Sequence, residues 1–185
     1  LLEQVKIVFH HESGRAAFFE RPEGGNAYPQ VSVPEWNEQI FQFIFEKRMS
    51  RVECIAELLK TDVDSLRKNP HILAAFIFSH ELGHAYEYLE EREKRGASVD
   101  EWWDTRFDDE DASLPVPGLK PSELIQKLDE IWEKDGEFYR NRYNISTKEE
   151  LLKMQEEAYR NTSSERYADS FAVTLLAKTH KDRNL

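Results

Sequence analysis

The sequence has almost no cysteine, no basic cluster and no long apolar run, and each shortage excludes something. The one cysteine, Cys54, cannot close an internal disulfide or join a thiolate metal cluster. It falls in the helical run "RVECIAELL", where a buried, inert thiol is the natural reading. The lack of disulfide chemistry points to a cytoplasmic setting. The most apolar stretch, "ILAAFIF" at 72–78, is far shorter than the roughly 20 residues that cross a bilayer, so no membrane span is expected. No stretch combines a charged start, an apolar run and a small-residue cleavage site, so no secretory leader is expected. Lysine and arginine number 25 against 36 aspartates and glutamates, giving a net charge of −11 and a pI of about 5.1. Such a chain repels phosphate backbones and anionic lipid, so no nucleic-acid partner is expected; basic or unfolded polypeptides suit it better. Repeats and low-complexity segments are missing too.

Of the 185 residues, 39% are hydrophobic and 33% charged, which suits one soluble domain, 1–185, with a real core. "VKIVFHH" at 5–11 alternates and is rich in β-branched residues, predicting a strand. "ESGR" is a turn, and "AAFFERP" at 16–22 a second strand, so the pair reads as a hairpin. A third extended segment covers 26–34, "NAYPQVSVP"; Pro29 cannot donate to a ladder, which predicts an edge strand. Helical periodicity then runs from Pro34 to about residue 61, and again over 71–96, where Gly96 is a natural stop. Residues 97–120 are acidic, aromatic and proline-containing, and read as a long loop. Further helices are predicted from Pro121, from a capping box of Ser146 with Glu149, and over 163–180. The loop and helices of about 97–160 read as an insertion.

Inside the 71–96 helix, "FSHELGHAYEY" places His80, Glu81 and His84 in the order H-E-x-x-H. Residues four apart share a helix face, so both imidazoles can reach one ion. Zinc suits two imidazoles with an oxygen ligand and a water, and Glu81 can face that water as general base. A third ligand must come from elsewhere. Glu87 lies about 10 Å along the axis from His80, too far to complete a tetrahedron. In "Glu165-Arg-Tyr-Ala-Asp169" two carboxylates share a face: Glu165 can bind the metal while Asp169 accepts a hydrogen bond from a ligating histidine and fixes its tautomer. His10, His11 and His71 have no partner at ligand spacing and read as ordinary residues.

HELGH followed by E-x-x-A-D resembles the gluzincin metallopeptidases, in particular the minigluzincins and the soluble core of CAAX-prenyl-protease and HtpX-type enzymes. Asn26, Ala27 and Tyr28 add to the likeness, because those enzymes carry an Asn-Ala-aromatic stretch on an edge strand upstream of the zinc helix. The resemblance implies His80, His84 and Glu165 as zinc ligands, Glu81 as base, Asp169 behind a ligand, and Asn26, Ala27 and Tyr28 as contacts to an extended peptide along 26–33. About eighty residues separate His84 from Glu165, and Pro29 directly follows the NAY stretch, both departures from the pattern. ImmA/IrrE-type repressor-directed proteases also use this helix motif with a downstream carboxylate, and are the nearest rival.

A tetrahedral intermediate needs a stabilising group, for which Tyr143, Tyr159, Arg166, Tyr167 and His180 are candidates, Tyr167 foremost. The stretch 100–111 carries seven carboxylates and one arginine, a solvated loop or a cover formed with Trp102 and Trp103. These readings predict an α+β, zincin-like fold: a small, mainly antiparallel N-terminal sheet, with its edge strand at the cleft, packed on the HExxH helix, and a helical C-terminal part. The function they predict is zinc-dependent endopeptidase. The alternative is a zinc-stabilised peptide-binding, regulatory or immunity module that does not cut.

Overall fold

The computed structural model describes residues 2–11, 17–20, 28–96, 101–102 and 113–182. Strands β1 (Lys6–His10), β2 (Phe18–Glu20) and β3 (Gln30–Pro34) form one mixed sheet in the order β1-β3-β2. β1 runs parallel to β3 with Ile7 opposite Val31; β2 runs antiparallel to it with Phe19 opposite Val31. Three expectations are corrected here. The first two strands are not a hairpin, the sheet is mixed rather than mainly antiparallel, and β3 lies in the centre rather than at an edge. The physical reason is burial: Val31, Ser32 and Val33 are each no more than 5% exposed, so both faces of β3 are covered. Pro29 precedes the ladder, its missing N–H falls outside it, and its carbonyl accepts from Lys6 N at 2.9 Å.

Four helices follow. α1 (Glu38–Lys47) is capped by Asn37, whose Oδ1 accepts from Ile40 N at 3.1 Å, and it begins four residues after Pro34, the start the sequence suggests. α2 (Met49–Leu58) is separated from it by Arg48, and α3 (Val63–Lys68) is capped by Asp62, which accepts from Ser65 N at 2.7 Å. α4 (Pro70–Arg95) opens on proline and ends at Gly96 in the left-handed region, φ 65°. Two apolar stripes run along α4. Leu73, Phe76 and Ile77 join Ile40, Ile44, Val52, Ile55 and Leu66 in the main core, while Phe78, Leu82 and Ala85 meet Val31 and Val33 of the sheet.

α5 (Pro121–Tyr143) and α6 (Lys148–Arg160) pack around Leu124, Leu128, Tyr139 and Leu151, with Val116 from the segment before them. Gln155 fastens that segment: its Oε1 accepts from Val116 N at 2.8 Å and its Nε2 donates to Leu119 O at 2.6 Å. The capping box of α6 is one residue later than predicted. Thr147 accepts from Glu150 N, and the Glu150 carboxylate accepts from both Thr147 N and Ser146 N. α7 (Ser163–Asp182) is the last helix among the described residues. The residues fall into two compact units, Leu1–Asp104 with Arg166–Leu185 and Thr105–Glu165, and the division lies within the first turn of α7. No helix among the described residues is long and apolar enough to cross a membrane.

Candidate metal centre

The centre is built where α7 crosses α4. Gly83 makes the crossing possible: a Cβ on it would stand 2.8 Å from the Cα of Ala168, closer than atoms tolerate. One residue along α7, Asp169 reaches His80, with Oδ1 2.8 Å from Nδ1, both groups being buried. A carboxylate can only accept at this position, so Nδ1 carries the proton and Nε2 presents its lone pair. His84 Nε2 lies 3.1 Å from His80 Nε2, and the two rings meet edge to face with centroids 4.7 Å apart. Glu165 sits on the same continuous helix one turn before Asp169 and is 4% exposed. One ligand atom from each of His80, His84 and Glu165 lies within 4.8 Å of the others.

Two imidazole nitrogens and one carboxylate oxygen are a donor set that suits zinc and leaves a fourth position open. Bonds of about 2.0–2.1 Å to a tetrahedral ion put neighbouring ligand atoms about 3.3 Å apart, close to the 3.1 Å between the two Nε2 atoms.

Glu81, between the histidines, accepts a hydrogen bond from Phe19 N at 2.8 Å. β2 is therefore the edge strand that faces α4 at this point. The Phe19 ring lies 6.4 Å from the His84 ring and 6.0 Å, edge to face, from Trp102. Trp102 is buried with Tyr88 and Leu89, and that burial pushes the Tyr88 phenol above its ordinary pKa.

Of the residues the sequence singles out, His80, His84, Glu165 and Asp169 come together, while the Glu81 carboxylate meets Phe19 N. Asn26 and Ala27 lie outside the described residues, as do Trp103 and most of the acidic stretch. Tyr28 is described and is 61% exposed, just ahead of the central strand. Residues 30–32 are paired with β1 on one side and β2 on the other. The Tyr167 hydroxyl donates to Glu90 at 3.0 Å, which engages it ten residues beyond His80 on α4. Tyr143 stands 3.5 Å from the Pro115 carbonyl. Sequence reasoning missed three features: the Phe19 amide, the Gly83–Ala168 contact and Arg160, whose Nη1 is 3.5 Å from Glu165 Oε2. The small residues inside both motifs signalled the second; a backbone amide leaves no signal at all.

Comparison with known proteins returned no matching family model, no matching curated protein and no matching solved structure.

Proposed function

We infer that the chain is a zinc-dependent endopeptidase of gluzincin type. The observation that carries this reading is the convergence of His80, His84 and Glu165, one ligand atom of each lying within 4.8 Å of the others. His80, His84 and Glu165 would hold the zinc, which when bound would supply Lewis acidity. Glu81 is the residue that would accept a proton from the attacking water and hand it to the leaving amine. Asp169 holds His80 in the tautomer that ligates, and the Phe19 N–H fixes one oxygen of Glu81 while leaving the other for proton transfer. An extended peptide would have to meet the chain away from the Phe19 N–H, which Glu81 already engages, and away from 30–32, which β1 and β2 pair on both sides.

The Phe19–Glu81 bond also favours a second reading. A carboxylate already satisfied by a backbone amide fits a zinc-stabilised peptide-binding or regulatory module that does not cut. The experiment that separates them is a comparison of wild type and Glu81→Gln for zinc content and for cleavage of a peptide library. The peptidase reading expects about one zinc per chain in both proteins and turnover in wild type alone, the variant being slower by at least about 10²–10⁴-fold. Equal turnover in the two proteins removes Glu81 as base, and zinc without cleavage in wild type selects the module.

A further inference from the structure

Arg160 is the last residue of α6, and its side chain is 8% exposed. An arginine is rarely buried without a carboxylate to meet it. Here Nη1 stands 3.5 Å from Oε2 of Glu165, itself 6% exposed at the side chain, an ion pair rather than a tight hydrogen bond. The link between them is short and stiff. Asn161 N donates to Glu157 O at 3.1 Å, Thr162 Oγ1 donates to Tyr159 O at 2.8 Å, and α7 begins at Ser163. Glu156, one turn earlier on α6, is also buried. One guanidinium thus stands near the end of a helix that carries one buried carboxylate and leads directly to a second.

We propose that Arg160 is a positioning residue that shares the Glu165 carboxylate with the bound metal: it supplies the counter-charge that keeps Glu165 turned into the centre before a cation arrives, and it weakens the hold on the cation afterwards. This rests on the metal-binding reading above. A carboxylate has about four lone-pair positions, so a guanidinium and a cation can both engage it. They are like charges, however, and each reduces what the other gains. The fold therefore does not wait for metal, and the metal is held less tightly than two histidines and a free carboxylate would hold it.

The test is thermal unfolding of wild type, Arg160→Gln and Arg160→Lys, each with a chelator and with zinc, alongside zinc titration by calorimetry. In Arg160→Gln the melting temperature falls in chelator, because Glu165 is buried without its counter-charge. Zinc then raises it by more than it raises wild type, and zinc affinity is tighter by about tenfold. Arg160→Lys keeps the charge and behaves nearly as wild type. Should Arg160→Gln fail to fold in chelator, the proposal requires that it fold with zinc present. An equal loss of melting temperature with and without zinc, unchanged zinc affinity, or failure to fold in both conditions overturns the proposal and leaves the metal-binding reading standing. Absence of zinc binding by wild type overturns both.

Discussion

Asp169 shows how far a histidine ligand depends on the group behind it. Its carboxylate, 2.8 Å from His80 Nδ1, leaves Nε2 as the ring nitrogen that faces His84. Removing such a partner typically costs about 10–100-fold in metal affinity. Asp169→Ala should therefore weaken zinc by that order while Asp169→Asn, which can still accept through its amide oxygen, loses less. Competition against a calibrated chelator measures both, and equal affinities for the two variants and wild type would dismiss the orienting role. His80, Glu81 and His84 were legible from spacing alone, because a helix converts a four-residue interval into a shared face. Glu165 and Asp169 were legible for the same reason once a third ligand was sought. The Phe19 amide was not, since every residue but proline has one and only the sheet decides where it points.

At the level of elements, the crossing of α4 and α7 is held open for no side chain at all at Gly83. Gly83→Ala places a methyl group 2.8 Å from Ala168 Cα, so the helices must part, at a cost of about 1–3 kcal/mol. Zinc affinity should fall with stability, because Glu165 and Asp169 ride on the helix that moves. Chemical denaturation and zinc titration of the variant check this, and unchanged affinity would show that the crossing does not set the ligand geometry. The start of α6 offers a different test. Backbone N–H groups of Ser146 and Thr147 hold the Glu150 carboxylate below its ordinary pKa of 4.5. A depressed carboxylate contributes stability that is complete above the unfolded-state value and disappears as pH falls through the folded one. Glu150 should therefore titrate below 4.5 by NMR, and the Ser146 and Thr147 amides should lose protection from exchange in the same acid range. A titration midpoint at or above 4.5 would refute the cap. The strands were the least legible elements. Pro29 is a sound edge signal only inside a strand, and β3 begins one residue after it.

For the molecule as a whole, the acidic balance of −11 and the shortage of apolar runs set broad limits, and no helix among the described residues contradicts them. The α+β architecture with a small sheet against the HExxH helix follows from an N-terminal stretch of period two and a long remainder of period 3.6. Strand order does not follow from period. It depends on which strand is buried on both faces, and "QVSVP" differs little in pattern from an edge strand.

The sequence by itself determined the pairing of residues on helix faces, His80 with His84 and Glu165 with Asp169, because local geometry fixes which side chains share a face. Only the tertiary structure decided that those two faces meet, at a glycine and an alanine too small to keep the helices apart. It also decided that the Phe19 amide of β2 meets Glu81, and that a buried arginine stands beside Glu165. All three are contacts between residues distant in sequence or set by a turn, and their energy depends on the packing of the surroundings rather than on the pattern of any one segment.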